Sequence, residues 1–334
     1  MPLLETYLYK LFMILGQHVP TIAYVDCFAG PWRESSDDMS DTSIGRALTT
    51  MKTLYHLVYL TRHPLGIVKF MEGRTALKGE AMSTQSRIEW TEQTWNPAVG
   101  CSKVSPGCAH CYAEVMARRL QAMGVSGYEN GFELTLLPHR LGEPLKRRTP
   151  TVYFVNSMSD LFHEEIPDDF IRQVFDVIRC APQHTFQVLT KRAERMATFF
   201  RDQQPPVNAW MGVTVENRAH GLPRLDYLRQ IGARIRFASV EPLLEDLGEV
   251  NLRGIHWVIV GGESGPKARP MRQEWVLNIK SQCEVQGSAF FFKQWGGWGA
   301  DGTKRAKKQN GRLLQGRTWD AVPAMPFQQG HLGC

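Results

Sequence analysis

Residues 185–217 read TFQVLTKRAERMATFFRDQQPPVNAWMGVTVEN. Two short runs rich in β-branched and aromatic residues, 185–189 and 210–213, flank a stretch at 191–200 with apolar residues at helical spacing. Parallel strands need a crossover connection, and a helix between two strands supplies one, so the segment reads as a unit of a βα-repeated fold. The same pattern repeats outward in both directions. Strands are predicted at 151–155, 235–238, 257–260 and 289–292, with a first one near 95–99, and helices at 108–122, 167–180, 217–231 and 272–286. Pro167-Asp168-Asp169 suits a helix start, because proline is tolerated in a first turn. The expected fold class is α/β: a partial TIM-type barrel of six to seven βα units over residues 82–325.

The residues just after each strand point to a shared site. The second strand runs into Asn156, Ser157, Ser159 and Asp160, the third into Thr190, Lys191 and Arg192, and the fourth into Thr214, Glu216 and Asn217. Ser239 and Glu241 come after the fifth, Gly261-Gly262-Glu263-Ser264 after the sixth, and Lys293 and Gln294 after the seventh. In a parallel βα array these ends lie on one face, where a barrel builds its active site. Helix N-capping accounts for some Ser, Thr and Asn residues taken singly. It leaves carboxylates and lysines at nearly every strand end unexplained.

Composition sets outer bounds. With 334 residues, 43% hydrophobic and 22% charged, the chain can bury a full core. It lacks the uninterrupted apolar run that a membrane helix needs, so no membrane is expected. The partly apolar start is broken by Glu5 and Lys10 and reads as a helix over 4–16, not as a signal peptide. A cytoplasmic protein is expected. Part of the net charge of +6 sits in Lys304, Arg305, Lys307, Lys308, Arg312 and Arg317. That run either meets phosphates or is a solvated, mobile tail.

Seven cysteines are too few and too uneven for a disulfide scaffold. Cys27, Cys180, Cys283 and Cys334 stand alone and read as small buried hydrophobes or an inert terminal thiol. The other three share one segment, CSKVSPGCAHCY at 101–112. Cys108 and Cys111 can reach one centre from a single turn, and the Pro106-Gly107 bend can fold Cys101 onto it. Thiolates are soft donors that suit iron–sulfur clusters, zinc or copper(I). Structural zinc normally asks for a fourth Cys or His, and His110, beside two ligands, is poorly placed to join them. Three thiolates without an obvious fourth suit a four-iron cluster (4Fe-4S) with one iron left open. Zinc, and unligated core cysteines, remain the other readings.

Together these segments carry a family resemblance. Ile88-Glu89-Trp90-Thr91, Trp95-Asn96-Pro97, Gly100-Cys101 through Cys111-Tyr112-Ala113-Glu114, and Asn156-Ser157-Met158-Ser159-Asp160-Leu161-Phe162 belong to it. So do Leu189-Thr190-Lys191-Arg192, Gly212-Val213-Thr214-Val215-Glu216-Asn217 and Ser239-Val240-Glu241-Pro242-Leu243. Gly261-Gly262-Glu263-Ser264-Gly265 and Phe292-Lys293-Gln294-Trp295-Gly296 complete the set. Residues 83–325 resemble the phage-type three-Cys-motif family of radical-SAM-like proteins. The resemblance implies a barrel of the radical-SAM kind, a 4Fe-4S cluster and S-adenosylmethionine, with a 5′-deoxyadenosyl radical as its product and a reductant protein as its electron source. Two departures bear on the cofactor: the cysteine gaps are six and two residues where the wider pattern has three and two, and Gly-Gly-Glu comes after the sixth strand instead of the second.

The N-terminal part carries a second resemblance. Thr21 to Val25 read as a strand, and Tyr24-Val25-Asp26-Cys27-Phe28-Ala29-Gly30-Pro31 resembles the three-Cys-motif partner family, which is methyltransferase-like, over residues 1–50. The further βα units of a methyltransferase are missing, and 51–82 hold no clear element beyond a possible strand near 67–71. Residues 1–81 therefore read as a truncated methyltransferase-like segment and linker forming a small N-terminal α/β appendage, and 326–334 as a disordered tail. A separate methyltransferase-like protein is an expected partner.

The candidate site residues divide by role. Cys101, Cys108 and Cys111 are the metal ligands, and Asn156, Ser157, Asp160, Thr214, Glu216, Glu241, Gly261, Gly262 and Glu263 the cofactor-binding candidates. The carboxylates can accept from an ammonium or ribose hydroxyls, and the glycines admit a flat adenine or a carboxylate. Lys191, Arg192 and Lys293 are the substrate-binding candidates, suited to a carboxylate or phosphate. Ion pairs tying neighbouring loops are the competing reading for each charged residue. Tyr112, Trp295 and Trp298 could stack on a base or simply pack at the rim. The expected activity is modification of a nucleic acid or nucleotide substrate. The alternative is a non-catalytic nucleic-acid-binding protein stabilised by zinc or a cluster.

Overall fold

Pro97 splits the first predicted strand. Having no N–H, it cannot donate to a ladder, and the chain turns there. Gln93–Trp95 (β1) joins the main sheet, whereas Ala98–Val99 (β2) pairs antiparallel with Thr135–Leu136 (β3). The prediction of one strand over 95–99 is corrected accordingly. This architecture comes from a computed structural model, which describes residues 88–324. The chain divides into two units, Met1–Gly79 and Glu80–Cys334. The readings of 1–81 and 326–334 lie outside the described residues.

The remaining strands are Val152–Val155 (β4), Thr185–Thr190 (β5), Ala209–Thr214 (β6), Ile235–Val240 (β7), Trp257–Gly261 (β8) and Ala289–Gln294 (β9). They form a seven-stranded sheet in the order β1-β4-β5-β6-β7-β8-β9, every pair parallel. The helices are Tyr112–Ala122 (α1), Asp168–Arg179 (α2), Ala193–Phe199 (α3), Arg218–Arg229 (α4), Gln273–Gln286 (α5) and Lys307–Asn310 (α6). The sheet curls into a partial TIM-type barrel with helices flanking it, as the repeat predicted. The chief helix difference is α1, expected from 108. Pro106 opens a short 3-10 turn and Cys111 is extended, so the helix begins only at Tyr112.

Register sorts the side chains by the two-residue period of a strand. Phe154, Gln187, Trp210 and Ile235 are partners across β4 to β7, and Phe237, Trp257 and Ala289 continue the same face. That concave face holds an aromatic cluster of Trp90, Phe154, Trp210, Phe237, Trp257 and Phe291. Gly212 belongs to it: a Cβ there would come within 2.5 Å of the Phe237 ring. The opposite face carries Val155, Val188, Met211, Val213, Val258 and Val260, buried against the helices. In α2, Phe170, Ile171, Val174, Phe175 and Ile178 form the apolar stripe. Each such side chain contributes roughly 1.5–3 kcal/mol on burial.

The C-terminal basic run is not a mobile tail over the part described. Phe292 donates its N–H to the Trp319 carbonyl at 2.8 Å, and Phe291 pairs antiparallel with Asp320. The segment thereby covers the β9 edge, which would otherwise offer unpaired backbone. Lys304 lies over Trp298, Arg317 over Trp319, and Arg305 pairs with Asp301. Cys283 is fully buried in the core, and burial pushes its thiol up to about 12. Cys180, by contrast, is exposed at the end of α2. Among the described residues, no helix is long and apolar enough to cross a membrane.

Candidate functional site

The loop from Gly100 to Cys111 leaves β2 at the carboxyl end of the sheet. Gly100 bridges to Ser159, its N–H reaches the Met158 carbonyl at 3.0 Å, and Ser159 Oγ donates to Ala98 O at 3.0 Å. Asn96 Oδ1 accepts from Ser157 Oγ at 3.1 Å and from Met158 N at 3.0 Å. The Tyr112 hydroxyl donates to the Ser157 carbonyl, although the ring is more exposed than buried. The root of the cysteine loop is thus tied to the segment beyond β4.

From that root the loop reaches several other strand ends. Arg192, after β5, donates from Nη2 to Ser102 Oγ at 2.7 Å and Ser102 O at 3.3 Å, and from Nη1 to Cys101 Sγ at 3.5 Å. Ser105 hydrogen-bonds to Glu216, after β6, and Gly107 lies against the same side chain. Arg269, beyond β8, donates from Nη2 to the Pro106 carbonyl at 3.0 Å. The three cysteines, half-buried and free, therefore stand on the carboxyl face where the sequence predicted the ligand site. Burial and then the Asp160 carboxylate push the Cys101 thiol up to about 11, with Arg192 pulling the other way.

Three of the carboxylates predicted to meet a cofactor take part in holding this frame. Asp160 Oδ1 accepts from Thr190 Oγ1 at 2.6 Å and Phe162 N at 3.0 Å, while Oδ2 accepts from Lys191 N at 3.0 Å and Arg192 Nη1 at 3.3 Å. Glu216, fully buried, pairs with Arg224 at 2.5 Å. Glu263 receives Arg269 N at 2.8 Å, Nε at 2.9 Å and Nη2 at 2.6 Å. Burial works against charge on both glutamates, and the hydrogen bonds and positive charge of Arg224 and Arg269 together, with Ser105 and Lys191 adding to them at Glu216, outweigh it and hold each carboxyl below its ordinary range.

Gly262 is also explained internally. A Cβ there would lie 2.0 Å from the Trp295 carbonyl, so the close neighbour is this chain's own backbone. Gly261 faces the Glu241 carboxylate, with 3.2 Å available to a Cβ. The stacking reading fails for Trp295, which is buried against Phe292 and donates to Leu313 O at 2.8 Å. Trp298 is half-buried and donates to Ala268 O at 2.6 Å.

Other candidates keep ligand capacity. Asn156 sits at a positive φ of 57° at the end of β4, buried, with neither amide atom partnered among the described residues. Lys191 donates to Thr214 Oγ1 at 3.3 Å and makes no ion pair among the described residues. Lys293 pairs with Glu241 at 2.7 Å, both partly exposed, and Gln294 Nε2 donates to Glu241 Oε1 at 3.2 Å. Lys191 and Arg192 line a cavity of about 380 Å³ that runs between α3 and α4 to Arg195, His220, Arg224 and Tyr227.

Sequence reasoning missed Arg224 and Arg269 as parts of the site. Arg224 lies eight residues beyond Glu216 and two turns into α4. Arg269 stands six residues beyond Glu263, in a loop that no periodicity marks. Ser102, His163 and Glu164 were also missed: Ser102 Oγ lies 2.9 Å from His163 Nε2 and 3.2 Å from Glu164 Oε1.

Three free thiols on one loop are soft donors, the chemistry an iron–sulfur cluster takes. Among the described residues, no three Cys, His, Asp or Glu side chains are gathered as the ligands of one metal ion would be. The orphaned amide of Asn156 is the feature that most calls for a small-molecule partner.

Residues 85–323 match the family described as a protein of unknown function, DUF5131. The chain belongs to that family. No curated protein matches the DUF5131 chain. Solved structures of spore photoproduct lyase share a loose likeness with it. A tyrosine-to-phenylalanine variant has a TM-score of 0.41 and 10% identity, over 77% of this chain and 96% of that one. A variant with bound AdoMet and dinucleoside spore photoproduct has a TM-score of 0.36 and 12% identity, over 74% and 81%.

Proposed function

We propose that this DUF5131 chain is a radical-SAM-like iron–sulfur enzyme acting on a nucleic acid or nucleotide substrate, and that residues 83–325 are a phage-type three-Cys-motif protein. The observation that carries the reading is the cysteine loop, tied to the ends of β4, β5 and β6 and to Arg269 beyond β8. A loop that only closed a barrel would have no need to hold three free thiols over its carboxyl face.

Cys101, Cys108 and Cys111 would hold a 4Fe-4S cluster. When bound, that cluster would supply the electron, drawn from a reductant protein, that splits S-adenosylmethionine into methionine and a 5′-deoxyadenosyl radical. The chain's own residues orient and enclose. Arg192, Arg224 and Arg269 fix the loop through Asp160, Glu216 and Glu263. Asn156, Thr214 and Glu241 are the polar groups left to meet S-adenosylmethionine. An αL backbone is costly for most residues and tolerable for Asn, which supports a functional role for Asn156. Lys191 lines the cavity beside α3 and suits a phosphate. Cluster chemistry of this kind fits the reducing cytoplasm.

Anaerobic reconstitution of the full chain with iron and sulfide tests the reading. About four irons per chain are expected. Reduction by dithionite in the presence of S-adenosylmethionine should release 5′-deoxyadenosine and methionine. Bound iron with neither product would overturn the enzyme, and one zinc with no iron would favour the non-catalytic nucleic-acid-binding alternative.

A further inference from the structure

Arg192 spends all five of its N–H groups within one small region. Nε donates to Glu164 Oε2 at 2.7 Å, Nη1 to Asp160 Oδ2 at 3.3 Å and Cys101 Sγ at 3.5 Å, and Nη2 to Ser102 O and Oγ. Its side chain is only 8% exposed, and Asp160, its deeper partner, only 10%. An ion pair alone would have used two of those donors. This guanidinium is instead clamped by a carboxylate on each side, with one remaining hydrogen directed at sulfur.

The three cysteines are not equivalent in this respect. Among the described residues, the hydrogen-bond partner of Cys108 Sγ is Ser105 Oγ, at 3.9 Å, and a hydroxyl carries no net charge. Among the described residues, Cys101 alone of the three meets a cation at hydrogen-bond range for sulfur. Hydrogen bonds and positive charge at a thiolate ligand withdraw electron density from the iron it binds, which favours the reduced cluster. A planar fork held on both sides keeps that bond in place as the cluster's charge changes.

We propose that Arg192 is a positioning residue that sets the reduction potential of the cluster by donating a hydrogen bond from Nη1 to the Cys101 thiolate. The proposal rests on the cysteine-cluster reading above and assigns a distinct role within it. Asp160 and Glu164 then act through Arg192, by aiming it and by partly neutralising it. Glu164 is the adjustable member: it is 61% exposed and touches the guanidinium from the solvent side.

The test is an EPR-monitored dithionite titration of the reconstituted full chain. Arg192→Gln should bind iron as the wild type does, with its midpoint shifted to a more negative potential. Arg192→Lys, which keeps the charge but loses the fork, should fall between the two. Glu164→Gln removes the negative charge that offsets Arg192 and leaves the thiol untouched, so its midpoint should move the opposite way. That variant also serves should Arg192→Gln fail to fold. A wild-type midpoint in every variant that loads iron would overturn the role of Arg192, with the cluster intact. A wild type that binds no iron would remove the underlying reading, and the absent iron signal tells the two failures apart.

Discussion

Glu216 is a carboxylate with no access to water, and its charge is tolerable only because Arg224 reaches it from two turns along α4. Arg224 also donates to the Thr214 carbonyl at 2.8 Å, so a single side chain satisfies the strand end and the carboxylate beyond it. Removing one partner of a buried pair costs more than the pair contributes, because the other charge is left desolvated. Arg224→Leu is therefore expected to lower stability by about 3–5 kcal/mol. Urea unfolding should read this as a lower midpoint with an unchanged slope, and a loss under about 1 kcal/mol would contradict it.

The junction of β7 and β8 holds a titratable group that belongs to the sheet and not to the site. His256 precedes β8: its N–H donates to the Arg236 carbonyl at 2.8 Å, and its ring Nδ1 accepts from Arg236 N at 3.0 Å. That arrangement needs a neutral ring. Burial and then the Arg236 charge hold the His256 pKa below its ordinary 6.5. The unfolded chain takes up a proton near 6.5 while the folded chain resists, so stability is complete above that pH. It should decline as the pH falls from 6.5 through the lower folded value. Denaturation midpoints of the wild type and of His256→Gln, followed between about pH 7.5 and 5, check this. The variant should lose part of the decline, and an identical pH dependence would refute it.

At the level of the whole molecule, the net charge of +6 is carried partly by an ordered surface at the C-terminal end of the barrel. Lys304 is held over Trp298, while Lys308 is exposed and makes no ion pair among the described residues. If this face meets a nucleic-acid backbone, binding releases counterions and weakens with salt. The full chain is expected to bind a single-stranded DNA oligonucleotide with an affinity that falls linearly on a log–log plot against salt. Each of Lys304→Ala and Lys308→Ala should reduce the magnitude of the slope by roughly 0.7, the value for one phosphate contact on a single strand. Fluorescence anisotropy reads the slope, and slopes equal to the wild type would exclude this surface.

The architecture was legible because it depends on local pattern. The β-branched and aromatic runs at 185–189 and 210–213, and the helical stripe of Phe170, Ile171, Val174 and Ile178, each arise from local pattern within a few residues. So did the placement of polar residues at strand ends, since parallel strands put all those ends on one face. The clustering of Cys101, Cys108 and Cys111 was equally visible in the chain alone. The role of each strand-end carboxylate was not. Asp160, Glu216 and Glu263 look the same in sequence as Glu241, yet the first three are enclosed by arginines lying 32, 8 and 6 residues further along. A carboxylate accepts from an arginine or from a ligand by the same chemistry, and only the folded chain decides which donor arrives. Gly262 repeats the lesson, its missing side chain answering to Trp295, which comes from the neighbouring strand end. Sequence by itself determined the barrel and its three-cysteine loop. Tertiary structure decided which polar groups hold that loop and which remain for a ligand, because ion pairing depends on distance in space and leaves no period in the chain.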